Sequence, residues 1–366
     1  MTDLLDLAPH RAQEALEAHF RGRGQPAYRA RQVLAWLYRR DVDDFAAMTD
    51  LPAAERGALA EAFAVTRLAT VRVARSRDGT AKHLWKLPDG ELVESVLIPA
   101  GRRVTLCVSS QAGCAMACAF CATGWMGYRR QLRAGEIVAQ VRGARAWAAA
   151  HGYGPITNVV FMGMGEPLLN RSALWPSLET LHAGLGLGAR RITVSTVGIV
   201  PGILEMARRP EPFRLAVSLH APNSELRAQL MPIERKYPLP ELLEALRVFD
   251  AAGKGRITFE YVLIRDVNDA LPLADELAEH ARSFGALVNL IPFNPIPAVA
   301  WEPSPPERIR AFAARLERRG VAVSVREPRG RDIAAACGQL RAETTAVRAP
   351  AAPLARWGVR PHPGPR

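Results

Sequence analysis

Apolar residues near the start of the chain recur at helical spacing, which predicts a small helical region. Helices are expected at residues 11–20, 29–38 and 52–63. Further along, the period changes, and Pro88-Asp89-Gly90 separates two strand-like runs, as in a β-hairpin. The pattern therefore predicts a helical accessory domain over residues 1–75 and a β-hairpin linker over residues 76–100.

Strand-like and helix-like runs alternate beyond residue 100, which indicates parallel βαβ units. Strands are predicted at residues 104–109, 158–162, 192–196, 215–219, 257–264, 287–291 and 321–325, and helices at residues 134–150, 172–185, 239–252, 271–283 and 306–318. Six such units without a glycine-rich dinucleotide turn predict an α/β fold, a partial (βα)6 TIM-like barrel over residues 101–340. In parallel barrels, functional sites form at the carboxyl ends of the strands.

Charge narrows the range of partners. The 366 residues carry a formal net charge of +12, and the pI is about 10.1. This excess favours a polyanionic partner, either nucleic acid or an anionic membrane surface. Arginines of the predicted helical domain fit either phosphate contacts or a solvated face. Residues 341–366 contain five Arg against one Glu, and five Pro, which predicts a basic, largely disordered tail.

Localisation is inferred from what the sequence lacks. No run of about 18 apolar residues predicts a membrane span. The first residues have neither the basic region nor the apolar region of a secretory signal. The chain has five cysteines, three of them clustered, which is unlike a secreted disulfide framework. We therefore expect a cytoplasmic protein with no membrane partner.

The clustered cysteines, Cys114, Cys118 and Cys121, follow the first predicted strand of the barrel with C-x3-C-x2-C spacing. Cysteine thiolates at such short spacing are typical ligands of an iron–sulfur cluster. Zinc is the alternative, but structural zinc usually takes four ligands in two close pairs. Three ligands on a four-iron cluster would leave one iron free to bind another molecule.

Polar residues stand where the later strands end. Gly165 and Glu166 follow the second strand, where glycine allows close approach of a ligand and a carboxylate accepts hydrogen bonds. Other strands end near Ser195, Ser218, Leu219, His220 and Asn294. One such residue alone is more often a turn or capping residue. Several on one face of a barrel fit a small polar ligand better.

Four segments carry a resemblance to a known family: residues 108–114 (VSSQAGC), 163–168 (GMGEPL), 215–221 (LAVSLHA) and 332–340 (DIAAACGQL). Together they resemble the RlmN/Cfr family of ribosomal RNA adenine methyltransferases, within the radical S-adenosylmethionine (SAM) superfamily. The likeness covers most of residues 25–340. It implies a radical SAM barrel with one [4Fe–4S] cluster on the three clustered cysteines, and SAM bound between the free iron and the polar strand ends.

The resemblance also implies a reaction: methylation of C2 of adenine 2503 in 23S rRNA, and often of adenine 37 in tRNAs. Two SAM molecules are used per turnover. The first methylates Cys337, and the second yields the radical that takes a hydrogen from that methyl group. The resulting carbon adds to adenine C2, and Cys107 then forms a transient disulfide with Cys337 to release the product. Glu94 is implied as a proton acceptor.

Several points stay open at this stage. Either Glu94 or Cys107 removes the C2 proton. From the residues alone, Glu94 would be an exposed strand carboxylate and Cys337 a buried small side chain. Alternatives to the leading function are methylation of C8 of the same adenine, as by Cfr, and a non-catalytic RNA-binding protein with a metal cluster.

The family also suggests a flavodoxin-type electron donor, and we expect a monomer. One departure is Glu234, where the family more often has Asn. It is expected to alter a hydrogen bond near an RNA-facing loop without touching the chemistry.

Overall fold

The computed structural model describes residues 1–340, so the predicted tail at residues 341–366 lies outside the described residues. At the N-terminal end, a short parallel pair joins two strands, and three helices lie between them: β1 (Thr2–Asp3), α1 (Pro9–Gly22), α2 (Arg29–Arg39), α3 (Ala53–Ala62) and β2 (Phe63–Ala64). Leu16, Phe20 and Leu37 are fully buried in the core between these helices. The three predicted helices are therefore confirmed.

An antiparallel sheet follows, made of β3 (Ala69–Arg75), β4 (Ala81–Lys86), β5 (Leu92–Ala100) and β6 (Arg103–Cys107). The predicted hairpin is confirmed as β4 and β5, with Gly90 at a φ of +93° in the turn. The sequence pattern did not indicate β3, because most of its side chains are exposed at the edge of the sheet. Residues 69–75 therefore belong to the sheet and not to the helical part of the chain.

The cysteine loop leaves the end of β6. It is framed by a small two-stranded sheet of β7 (Gln111–Gly113) and β8 (Tyr128–Gln131), with the short helix α4 (Ala122–Met126) between them. None of these three elements was predicted. Each is only three to five residues long, which is too short for a hydrophobic period to be recognised.

The parallel sheet continues from β6 through β9 (Asn158–Phe161), β10 (Ile192–Thr196), β11 (Arg214–Ser218), β12 (Thr258–Leu263), β13 (Leu287–Pro292) and β14 (Ala322–Val325). Within residues 1–340 ten strands, β3 to β6 and β9 to β14, form one sheet, which has β3 at one edge and β14 at the other. Since these edges do not pair, the barrel is open. The predicted α/β fold with a partial barrel is confirmed.

Helices connect the parallel strands: α5 (Ala134–Ala150), α6 (Arg171–Glu179), α7 (Val200–Arg208), α8 (Ser224–Leu230), α9 (Leu239–Ala251), α10 (Leu271–Ser283) and α11 (Pro306–Arg318). The sequence did not predict α7 or α8. The sequence Val200-Pro201-Gly202 at the start of α7 is more typical of a turn. Here Gly202 lets α7 approach the turn that follows β9 closely, because a Cβ at this position would lie 2.7 Å from Leu168.

The predicted absence of a membrane span also holds for the part of the chain that the structure describes. No helix within residues 1–340 is both long enough and apolar enough to cross a bilayer.

A buried hydrogen bond between side chains of β4 and β5 stabilises the antiparallel sheet. Trp85 is 1% exposed, and its indole Nε1 donates to Ser95 Oγ at 2.7 Å. The His83 ring stacks on the same indole, with ring centroids 5.1 Å apart.

We expect Ser95→Ala to destabilise the protein by about 1–3 kcal/mol, because it leaves the buried indole N–H without this acceptor. Chemical denaturation measures the change in the free energy of unfolding. Ser324→Ala is the matched control: Ser324 lies on β14 but is exposed, and we expect an effect within about 0.5 kcal/mol. Equal effects of the two substitutions would contradict the role of Ser95.

Candidate active site

A cavity opens at the carboxyl edge of the parallel sheet, where functional sites form in parallel barrels. Ten of the residues predicted from the sequence line it: Cys114, Cys118, Cys121, Gly165, Glu166, Ser195, Ser218, His220, Asn294 and Cys337. Three others do not. Leu219 is fully buried in the core, and Cys107 and Glu94 are buried on the neighbouring strands β6 and β5.

Backbone contacts hold the cysteine loop in shape. Gly113 has a φ of +73°, and a Cβ on it would lie 1.9 Å from the Gly127 carbonyl oxygen. Only glycine fits this close crossing. The next amide, of Cys114, donates to the same carbonyl at 3.0 Å. The loop therefore starts from a fixed point on the β7–β8 pair.

The thiols of this loop suit a cluster better than a single ion. Burial raises the pKa of Cys114 to about 12, and it raises the pKa values of Cys118 and Cys121 as well; the nearby Cys121 thiol adds to the rise at Cys114 and at Cys118. Within residues 1–340, no three His, Cys, Asp or Glu side chains converge closely enough to hold one metal ion. A four-iron cluster binds each cysteine on a different iron. Three cysteines at this spacing therefore fit a [4Fe–4S] cluster.

Glu166 joins two strand ends across the floor of the cavity. Its Oε2 accepts from the Val197 amide at 2.8 Å, and its Oε1 accepts from the Leu168 amide at 3.0 Å. The carboxyl group is 2% exposed, and burial raises its pKa to about 7 against the effect of these hydrogen bonds. Part of the role of Glu166 is therefore to shape the cavity.

The backbone conformation and packing at position 165 also require glycine. Its φ is +96°, and a Cβ would lie 2.4 Å from the Cβ of Gln111. Gln111 in turn accepts from the Glu166 amide through Oε1, at 2.8 Å. Close packing of β7 against the end of β9 thus requires glycine here, besides any contact with a ligand.

His220 is neutral and fixed. Its Nδ1 accepts from the Val262 amide at 3.0 Å, and its φ is +57°. Its ring packs edge-on against the Phe120 ring, with the ring centroids 4.6 Å apart. Burial lowers its pKa to about 3, with the Arg227 charge as the smaller cause. This imidazole therefore packs against the cysteine loop without a charge.

The segment that carries Cys337, residues 330–340, closes one side of the cavity. We call it the Cys337 segment. Asn294 Nδ2 donates to the Cys337 carbonyl at 3.1 Å, and the Ala122 amide donates to the Gly338 carbonyl at 2.7 Å. Cys337 itself is exposed, so the alternative of a buried small side chain is wrong.

Cys107 lies at the end of β6, near enough to Cys337 for the Cys337 thiol to influence its pKa. Burial raises the pKa of Cys107 to about 12, the Cys337 thiol adds to this, and Arg326 opposes it. In return, the Cys337 thiol is the main cause of the raised pKa of Arg326. Both cysteines are unpaired thiols in this structure.

Glu94 is not the exposed carboxylate that the strand pattern alone suggested. It is 1% exposed, and its Oε1 lies 2.9 Å from the Lys82 ammonium. Its backbone carbonyl accepts from Ser109 Oγ at 2.5 Å. The carboxylate is therefore buried and held in place by Lys82.

Two cavity-lining residues, Glu260 and Arg326, were missed by sequence reasoning. Glu260 is 5% exposed in the middle of β12 and accepts from Asn289 Nδ2 at 2.7 Å. A charged residue in the run Thr258–Leu263 is the signal that could have identified it. Arg326 directly follows β14, where no motif marks it.

The expectation for Glu234 needs correction. Glu234 is 4% exposed and forms a buried ion pair with Arg227, which is 0% exposed. Its Oε1 also accepts from the Leu239 amide at 2.8 Å, and Arg227 Nη2 donates to the Val197 carbonyl at 2.5 Å. Glu234 is therefore part of the support beneath the cavity and does not face solvent on a loop.

Comparison with known proteins agrees with this geometry. The model of the radical SAM superfamily matches residues 108–277. The crystal structure of a radical SAM methyltransferase from Sphaerobacter thermophilus superposes with a TM-score of 0.88 at 48% identity, over 94% of this chain and 100% of that chain. Fold and site thus define a radical SAM enzyme.

A second family model, the ribosomal RNA large subunit methyltransferase N-terminal domain, matches residues 2–65. A protein of Gemmatimonas aurantiaca named "Probable dual-specificity RNA methyltransferase RlmN" is 50% identical, with 96% of each chain covered. A protein of the same name from Akkermansia muciniphila is 44% identical, over 92% of this chain and 96% of the relative. The chain belongs to the RlmN family of radical SAM RNA methyltransferases.

We expect Gly113→Ala to prevent the cysteine loop from forming, because the new methyl group would overlap the Gly127 carbonyl. Iron content and visible absorbance after anaerobic reconstitution measure the effect. Gly152→Ala is the control, since Gly152 has nearly the same φ of +75° but open space around it. The control should lose about 1–2 kcal/mol of stability and keep its iron. A normal iron content in Gly113→Ala would contradict this role of the glycine.

We expect Glu234→Ala to lower the free energy of unfolding by about 3–5 kcal/mol, because Arg227 would remain buried without its counter-charge. Urea denaturation of the purified protein provides the measurement. Glu225→Ala in the neighbouring helix is the control, because Glu225 is exposed. A decrease in the free energy of unfolding below about 1 kcal/mol, as at surface ion pairs, would show that the Arg227–Glu234 pair does not stabilise the fold.

Proposed function

We propose that this enzyme methylates C2 of adenine 2503 in 23S rRNA and C2 of adenine 37 in tRNAs, with two SAM molecules per turnover. The observation that carries the proposal is the position of Cys337. Its exposed thiol lines the same cavity as Cys114, Cys118 and Cys121, and Cys107 lies close behind it. All five cysteines of the chain therefore converge on one site, which fits a methyl carrier, a resolving thiol and three cluster ligands.

Cys337 is the methyl carrier. Its thiolate displaces S-adenosylhomocysteine from the first SAM, which forms the S–CH3 bond. When bound, the cluster supplies the electron that cleaves the second SAM and so yields the radical that takes a hydrogen from this methyl group. The carbon radical on Cys337 then adds to adenine C2, and the electron that the adduct loses with the C2 proton would return to the oxidised cluster. Exposure of Cys337 at the cavity supports access both to SAM and to the base.

Cys107 and Glu94 complete the reaction. Glu94 takes the C2 proton on its carboxylate, which the Lys82 ammonium holds in place. The Cys107 thiol keeps its proton until late, since burial raises its pKa to about 12. It then attacks the Cys337 sulfur, and the S–S bond forms as the bond between Cys337 and the methylene carbon breaks. That carbon takes the bonding electron pair and the Cys107 proton and becomes the methyl group of the product.

The cofactor site draws on residues of several strands. Glu166, Ser195, Ser218, Asn294 and the glycine of the Gly165-Glu166 turn would hold SAM beside the cluster, and the backbone at Leu219 and His220 would complete the site. The net charge of +12 suits an RNA substrate. We further propose a flavodoxin-type electron donor, a cytoplasmic location and a monomeric enzyme.

Cysteine variants test the assignment of roles. We expect Cys337→Ala to keep the cluster and form no product, because no methyl carrier remains. Cys107→Ala should accumulate a covalent protein–RNA adduct, because no thiol resolves it. Cys114→Ala should lose both the cluster and all turnover. Iron analysis, visible spectra and gel electrophoresis of protein–RNA mixtures measure these outcomes. Normal turnover by Cys107→Ala would remove its resolving role.

The site of methylation is read from the RNA itself. Mass spectrometry of nuclease-digested rRNA, from cells that lack the chain and from cells that regain it, should show 2-methyladenosine only when the chain is present. The appearance of 8-methyladenosine would favour the Cfr-like reaction. Zinc without iron in the anaerobically purified protein would favour a non-catalytic RNA-binding protein.

A further inference from the structure

Lys82, Glu94 and Cys107 project from one face of the antiparallel part of the sheet. Lys82 pairs with Val96, and Val96 pairs with Cys107, which places these three side chains in one row across the strands. Glu94 lies two residues before Val96 and therefore on the same face. Since Cys107 is close to Cys337, this face is turned toward the candidate active site.

The Lys82 ammonium holds two groups at once. It lies 2.9 Å from Glu94 Oε1 and donates to the Ala334 carbonyl at 3.1 Å. The side chains of Lys82 and Glu94 are only 8% and 1% exposed. Ala334 is three residues before Cys337 and has a φ of +50°, a conformation that a residue with a side chain keeps only when its surroundings enforce it.

Two further hydrogen bonds join the turn between β3 and β4 to the Cys337 segment. Asp78 Oδ2 accepts from the Gly330 amide at 2.9 Å, and Asp332 Oδ1 accepts from Ser76 Oγ at 2.6 Å. The Ser76–Asp332 contact is exposed and contributes little to stability, whereas the Asp78–Gly330 contact is partly buried, like that of Lys82. Lys82 differs from both because its ammonium also contacts the Glu94 carboxylate, and its charge-assisted hydrogen bonds are of the stronger kind.

We propose that Lys82 is a positioning residue that links the Glu94 carboxylate to the backbone of the Cys337 segment. It fixes the proton acceptor and the methyl-carrying thiol relative to each other, so that both meet C2 of the bound adenine. The inference rests on the proposed function for the roles of Glu94 and Cys337. The link itself, from Glu94 through Lys82 to Ala334, is a separate claim about the structure.

The first experiment measures the link without catalysis. Hydrogen exchange is followed in the anaerobically purified protein, with Lys82→Met, Lys82→Arg and the control Lys86→Met. Lys86 lies on the same strand and is exposed. We expect the amides of the Cys337 segment to exchange about tenfold faster in Lys82→Met, the effect of losing one charge-assisted hydrogen bond. Lys82→Arg and Lys86→Met should stay near the wild type.

The second experiment measures the chemistry with an rRNA fragment. We expect Lys82→Met to methylate Cys337 within about twofold of the wild type but to resolve the protein–RNA adduct about tenfold more slowly, because the proton acceptor is displaced. Lys82→Arg should restore resolution. Because Lys82 acts through Glu94, Lys82→Met combined with Glu94→Gln should resolve the adduct no more slowly than Glu94→Gln alone.

The outcomes separate the two claims. Unchanged hydrogen exchange together with normal adduct resolution in Lys82→Met would overturn the inference. So would a parallel loss of Cys337 methylation, adduct formation and stability that Lys82→Arg does not restore, since that pattern indicates a purely structural lysine. If the wild type forms no methylated Cys337, the proposed function fails, and hydrogen exchange alone then decides whether Lys82 holds the segment.

Discussion

The site depends on the double pairing of one strand, β6. On one side it pairs antiparallel with β5, in the register Val96 with Cys107, and on the other it pairs parallel with β9, in the register Cys107 with Val160. Within residues 1–340, this strand alone joins the antiparallel sheet to the parallel one. Because side chains alternate between the two faces of a strand, a shift of one residue in either register would turn Cys107 away from Cys337. The cysteine loop also starts from the end of β6, so this pairing positions the three clustered cysteines as well.

Sequence reasoning succeeded where a local pattern carries the information. The parallel strands are short apolar runs, and the helices between them have a clear period, so the barrel could be predicted. The cysteines could be found because their spacing is itself the signal. It failed for β3, β7, α4 and β8, whose formation depends on pairing and packing with segments distant in the chain. Arg326 and Lys82 were missed for a related reason: a single basic residue has no pattern, and its role appears only when the chain brings its partner close.

The same limit explains why the predicted site residues have mixed roles. Gly165 and Glu166 were identified from the expectation of a ligand, yet the structure gives both a second task, in packing against Gln111 and in holding the Val197 amide. Leu219 belongs to a matching motif, but its side chain lies in the core. A motif includes residues that contact a ligand and residues that only shape the site. The burial and hydrogen bonds of each residue are needed to distinguish these two kinds.

Two arginines near the cavity, Arg227 and Arg326, each have a glutamate as counter-charge, Glu234 and Glu260. The proposed reaction by itself does not require either glutamate. Arg227 lies beneath the cysteine loop, where its charge opposes the burial that raises the pKa of Cys118. Arg326 does the same for Cys107 on the other side of the cavity. A cation in such a place favours thiolates, but without a counter-charge it would destabilise the fold. Glu234 supplies that charge to Arg227 by a direct ion pair, and Glu260 supplies it to Arg326 through its field. Each arginine–glutamate pair therefore lets the fold keep a positive charge near a thiol. Glutamate at position 234 is suitable in this chain because it neutralises the buried Arg227.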